Sequence, residues 1–150
     1  FSRSSACAVA MVTVENGQVT DSYYTLIRPP NNFYYWQCSK THGLSPSDTI
    51  HAPSFTQIYP ELLKRLRGKT VVAHNESFDR RVLEACMTEA GLNMDEMKLA
   101  HMWECTLKIY RAKGYSPCRL SDCCEALNIE LNHHQALSDA LACAELYLGR

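Results

Sequence analysis

The stretch Val71-Val72-Ala73-His74-Asn75-Glu76-Ser77-Phe78-Asp79 sets the reading of this chain. A β-branched run stops abruptly in a polar turn, and the turn hands Asp79 to the first turn of a helix. Strand, sharp turn and helix in that order set a carboxylate at the C-terminal edge of a sheet, where α/β folds gather their ligands. Sixty residues further on, Asn132-His133-His134-Gln135-Ala136-Leu137-Ser138-Asp139-Ala140 supplies a second aspartate with a histidine close before it.

The remaining sequence frames these two segments. With 150 residues the chain is expected to form one domain, residues 1–150, with no linker or repeat. Its 46% hydrophobic and 21% charged residues are those of an ordinary globular protein. A net charge of -1 gives no global basic field, yet a nuclease with an acidic metal site can be neutral overall. No apolar run approaches the roughly 20 residues of a membrane span, so no membrane partner is expected. Eight cysteines without a C-x-x-C pair, several at apolar helical positions, point to buried reduced thiols and the cytoplasm.

Taken in order, Cys7 to Val14 reads as a strand apolar enough to be buried on both faces. Asn16-Gly17 is a hairpin turn, and Val19 to Arg28 is the return strand. The aromatic run Phe33-Tyr34-Tyr35-Trp36 suits either a packing role or a base-stacking surface. Ser45-Pro46-Ser47-Asp48 resembles a capped short helix. Ser54 caps a helix with Phe55, Ile58, Leu62 and Leu66 on one face, and Pro60 either kinks that helix or marks its first turn. Lys64, Arg65, Arg67 and Lys69 crowd its end, to complement the helix dipole or to meet phosphates.

A short strand then leads into the opening turn. The helix that follows carries Phe78, Val82, Cys86 and Ala90 on its stripe. A β-like or irregular piece around residues 97–105 precedes helices near 106–112, 120–127 (with Ser121 as cap) and 135–148. The last of these is expected to bury Leu137, Leu141, Ala144 and Leu148. A hairpin followed by strand–helix units makes a mixed α/β sheet.

Phosphodiester hydrolysis by two metals needs hard carboxylate oxygens around cations about 3.5–4 Å apart, and a base for the attacking water. Asp79 and Asp139 are suitable ligands, although an aspartate in a first helical turn also serves the dipole alone. His134 can lean over such a site without ligating it, near its useful pKa as a base; a plain surface histidine is the alternative. His74 and Asn75 suit a turn, since asparagine accepts the left-handed conformation.

Together these residues resemble the DnaQ-like, DEDDh-type 3′–5′ exonucleases, the family of the DNA polymerase III epsilon subunit. His74-Asn75-x-x-Phe78-Asp79 is similar to their second motif, and His134-x-Ala136-Leu137-x-Asp139-Ala140 to their third. The Thr41-His42-Gly43-Leu44 loop and the Ala52-Pro53-Ser54-Phe55 helix entry agree in order, so the resemblance covers essentially the whole chain. It implies a ribonuclease H-like fold: a mixed sheet flanked by helices. It also implies removal of nucleoside monophosphates from single-stranded 3′ ends of DNA or RNA with two Mg²⁺ or Mn²⁺ ions, beside a polymerase or repair partner. Asp79 and Asp139 would be metal ligands and His134 the base, with His42, Gln37 and Asn75 meeting the terminal nucleotide.

One departure stands against the pattern. The family's first motif, Asp-x-Glu on its central strand, has no counterpart here, and neither Glu15 nor Asp95-Glu96 can replace it. The expectation is therefore a truncated domain that lacks its first, central strand and is nearly inactive alone. A non-catalytic nucleic-acid-binding or interaction module built on the same fold is the competing expectation. A zinc protein using Cys118, Cys123, Cys124, His133 and His134 is a third.

Overall fold

Asn16 (φ 52°) and Gly17 (φ 78°) both take the positive φ of a type I′ turn, so the Asn-Gly pair closes the first hairpin as expected. It joins β1 (Ala8–Glu15) to β2 (Gln18–Leu26) in antiparallel register from Ala8↔Leu26 to Glu15↔Gln18, with an irregularity between Thr13 and Val14. A computed structural model describes residues 6–33, 43–100, 102–132 and 135–150. The expectation that Cys7 to Val14 is buried on both faces is corrected: β1 is half-buried along most of its length. Only β2 pairs with it among the described residues, which leaves it short of cover.

A turn at Pro30–Asn32 and helix α1 (Pro46–Thr49) follow, tied together by Asn32. Its amide donates to Pro46 O at 2.9 Å and its oxygen accepts from Thr49 Oγ1 at 2.8 Å. Ser45 N donates to Asp48 Oδ2 at 2.8 Å, the cap expected there. Helix α2 (Phe55–Leu66) opens on a reciprocal pair, Ser54 N to Gln57 Oε1 at 2.8 Å and Gln57 N to Ser54 Oγ at 3.3 Å. It runs through Pro60, so proline is an interior residue and not the first turn.

Two of the four cations at the end of α2, Arg65 and Lys69, are used inside the fold. Arg65 donates to Asp21 Oδ2 at 2.9 Å and to Glu61 Oε2, and its guanidinium lies 4.1 Å over the Tyr23 ring. Lys69 Nζ reaches Glu15 Oε1 at 3.5 Å. These contacts fasten the hairpin to α2, above a core of Ile27, Ile58, Tyr59, Leu62, Leu66, Met87 and Met97.

β3 (Val72–Ala73) leads through the turn into α3 (Glu76–Glu89), and a 3₁₀ turn at Met94–Met97 brings the chain to β4 (Glu104–Cys105). β3 and β4 pair in parallel, Val72 opposite Glu104 and Ala73 opposite Cys105. Helices α4 (Thr106–Ala112), α5 (Leu120–Leu127) and α6 (Ala136–Leu148) complete the chain. Tyr110, Cys118, Cys123 and Leu146 form a second core between them, in which Tyr110 Oη donates to Leu146 O at 2.6 Å.

Three helical expectations need correction. Phe78 is 53% exposed and does not belong to a buried stripe of α3. Helix α5 is capped by Arg119, whose backbone N–H donates to Asp122 Oδ2 at 3.0 Å; Ser121 already lies inside it. On α6 the buried residues are Ala142, Cys143 and Leu146, whereas Leu141 and Leu148 face outward. That helix is apolar almost all round, so periodicity could not select its face. It packs against β1 and β3.

Among the described residues the ladders join β1 to β2 and β3 to β4, and none joins one pair to the other. Helix α6 touches both pairs and bridges them. None of the described helices is long and apolar enough to cross a membrane.

Candidate active site

The site forms where β3 ends. Asn75 adopts φ 67°, ψ 59°, a left-handed conformation that a short polar side chain tolerates. The chain reverses there within one residue, and Asn75 O accepts from Phe78 N at 3.1 Å as α3 begins. The Asn75 side chain makes no capping bond.

His74 is held at both ring nitrogens. Nδ1 lies 2.8 Å from Thr106 Oγ1, and Nε2 lies 2.8 Å from the carbonyl oxygen of Cys118. Burial pushes its pKa below the ordinary histidine value, against the raising effect of the Cys118 carbonyl. Thr106 is fully buried and stands at the junction of β4 and α4.

Asp79 occupies the first turn of α3. Its side chain is open to solvent, yet the protein packed around it desolvates the carboxyl and pushes its pKa up to about 6. Its own backbone N–H opposes that rise, and the charge of Glu76 adds to it. Glu76 itself is buried at 7% exposure, paired with Arg80 Nε at 3.0 Å and, more loosely, with Lys108 Nζ at 3.9 Å.

Asp139 lies half-buried in the first turn of α6, its backbone N–H bonded to Gln135 O at 3.1 Å. One turn later comes Cys143, whose thiol lies 3.5 Å from Thr106 Oγ1. Burial pushes that thiol up to about 11, and the negative charge of Asp79 adds to the rise. The helices that carry Asp79 and Asp139 both pack against β3. His134, His42 and Gln37 lie outside the described residues.

Hard carboxylate oxygens are the donors a Mg²⁺ or Mn²⁺ ion prefers, and Asp79 and Asp139 offer them. Among the described residues, however, no three of His, Cys, Asp and Glu gather closely enough to hold a metal. The two aspartates fit part of a metal site and not the whole of it. The Cys118 and Cys123 sulfurs come within 3.5 Å of each other, but no third described ligand joins them for zinc. The seven described cysteines are buried, and none is in a disulfide.

Two residues of the site escaped the sequence reading. Glu76 looks like any acidic residue of a first helical turn, and only its burial beside Asp79 distinguishes it. Thr106 reads as an ordinary β-branched residue; nothing local announces that three segments meet at its hydroxyl.

The chain is similar in sequence and fold to known proteins. The chain is 29% identical to the PolC-type DNA polymerase III of Thermotoga petrophila over 147 residues, and spans 10% of that protein's length. It is 27% identical to the DNA polymerase III epsilon subunit of Aquifex aeolicus over 150 residues, with 97% of the chain and 71% of the relative covered. Among solved structures, Exonuclease X in complex with 5′-overhanging duplex DNA superposes with a TM-score of 0.73 at 23% identity, covering 99% of this chain and 85% of that one. A 3′-exonuclease bound to a histone mRNA stem-loop superposes at 0.71, with 15% identity and 89% and 64% covered. These neighbours share the ribonuclease H-like fold, the mixed α/β architecture described above. The pattern of the RNase_T exonucleases matches residues 2–147, and the chain belongs to that family.

Proposed function

We propose that this chain is the nuclease domain of a metal-dependent 3′–5′ exonuclease that releases nucleoside monophosphates from single-stranded 3′ ends of DNA or RNA. The observation that carries the reading is that the two aspartate-bearing helices both pack against β3, with Asp79 in the first turn of α3 and Asp139 in the first turn of α6. In this reading Asp79 and Asp139 hold divalent cations, which when bound polarise the scissile phosphate and lower the pKa of the attacking water. His134 is the general base, and His42, Gln37 and Asn75 meet the terminal nucleotide. The PolC-type and epsilon relatives suggest a polymerase or repair partner, and buried thiols suit a cytoplasmic setting.

Two carboxylates are too few to bind two cations tightly, so the 150 residues alone are expected to cleave very slowly. The lack of a third described ligand also favours a second reading, a non-catalytic nucleic-acid-binding module. One experiment separates the two. A strand bearing Asp-x-Glu is fused ahead of Phe1 and the product incubated with a 5′-labelled single strand and Mn²⁺. The nuclease reading expects a ladder shortening from the 3′ end, abolished by Asp79→Asn or Asp139→Asn. Binding of the strand without shortening would establish the module instead.

A further inference from the structure

The hydrogen-bond partners of His74 determine where its proton sits. A carbonyl oxygen only accepts, so Nε2, 2.8 Å from Cys118 O, carries the hydrogen and donates. A neutral imidazole then has a lone pair at Nδ1, and the Thr106 hydroxyl, 2.8 Å away, donates to it. Ala73 O is a second acceptor for that hydrogen, but at 3.5 Å it is far longer than Nδ1. With the hydrogen on Nδ1, Thr106 Oγ1 accepts from the Cys143 thiol at 3.5 Å. The bonds run in one direction from α6, through the start of α4, to the β3–α3 turn and on to the loop before α5.

We infer that His74 is a positioning residue, which, as the Nε2–H tautomer, ties the turn delivering Asp79 to Thr106 and, through it, to the Asp139-bearing helix. Three features support this assignment. His74 immediately precedes the left-handed, exposed Asn75, whose side chain makes no capping bond. Thr106 is fully buried, so no water competes for its hydroxyl. Cys143 lies one turn after Asp139 on the same side of α6, so fixing Cys143 fixes the rotation of that helix about its axis. With both ring nitrogens occupied, His74 is neither a metal ligand nor a base.

The importance of this placement rests on the nuclease reading above, but its test needs neither metal nor nucleic acid. Failure here would leave that reading standing, and failure of the nuclease assay would leave this geometry standing. Long-range ¹H–¹⁵N correlation on the full chain at pH 7.5 should show a neutral His74 ring protonated at Nε2. An Nδ1-protonated ring or an imidazolium would overturn the assignment.

Hydrogen exchange supplies the second arm. His74→Phe keeps the ring's bulk without its bonds and should speed exchange of amides 139–146 by at least about tenfold, the 1.4 kcal/mol lost with one such bond. His74→Asn, whose Oδ1 can stand where Nδ1 stood, should restore most of that protection. Should His74→Phe fail to fold, Thr106→Val removes the same link at nearly constant volume and should speed the same amides. Unchanged exchange in the folded Phe or Val variant would contradict the positioning role, as would equal loss in the Phe and Asn variants.

Discussion

Arg80 Nε lies 3.0 Å from Glu76 Oε2, one turn away on α3, and this pair tunes the field at Asp79. Glu76 is buried and raises the Asp79 pKa; Arg80 and the more distant Lys108 offset part of its charge. Replacing Glu76 with Gln should therefore lower the Asp79 midpoint from about 6 toward the ordinary carboxylate range. Arg80→Met should raise it. Carboxyl ¹³C titration by NMR reads both shifts, and opposite signs are the expected outcome.

The raised pKa also fixes a pH dependence. Between the unfolded aspartate value of about 3.9 and the folded value of about 6, the native state holds a proton that the unfolded state has lost. Stability contributed by this group is thus full below the unfolded value and is lost as pH rises through about 6. Asp79→Asn removes the ionising carboxyl and should raise Tm at pH 7.5. Because the side chain is open to solvent, the gain is at most about 1 kcal/mol, or about 2–4 °C. Thermal unfolding followed at pH 3.5, pH 5 and pH 7.5 should show no gain at the lowest pH, part of it at pH 5 and all of it at pH 7.5.

Arg65 joins Asp21 of the hairpin to Glu61 of α2 and covers the Tyr23 ring. Its side chain is only 16% exposed, so it lies closer to the buried than to the surface regime. Arg65→Ala should cost about 1–2 kcal/mol from the stacking and two ion pairs. Arg65→Lys keeps the charge but not the planar fork and should recover less than half. Urea unfolding midpoints check both.

Tyr110 Oη donates to Leu146 O, joining α4 to the last turns of α6. Tyr110→Phe keeps the ring but leaves that carbonyl without its donor, an expected loss of about 1–2 kcal/mol. The cost should also appear as faster exchange near residue 146, read by mass spectrometry.

The sequence was most legible where local chemistry leaves one choice. Asn16-Gly17 permits a turn that few other pairs allow, and the Ser54 and Asp48 caps announce helix starts through bonds made within three residues. Asp79 was placed correctly because a strand, an asparagine tolerant of positive φ and a first helical turn adjoin in the chain. What stayed hidden depends on partners distant in sequence. Helix α6 is apolar on nearly every side, so its own pattern did not single out Ala142, Cys143 and Leu146 as the residues it buries. Phe78 read as core but is exposed, and Thr106 and Glu76 acquire their roles only when α3, α4 and α6 meet.

In the function proposed above, Asp79 and Asp139 hold the same divalent cation. Adding Mn²⁺ to the ¹⁵N-labelled chain and following paramagnetic broadening tests it most directly, since even weak binding relaxes nearby amides. Amides 77–81 and 137–141 should broaden together at the same Mn²⁺ concentration, and both sets should lose the effect in either Asp79→Asn or Asp139→Asn. Broadening of one set alone, or of both sets undiminished in Asp139→Asn, would contradict a shared metal site.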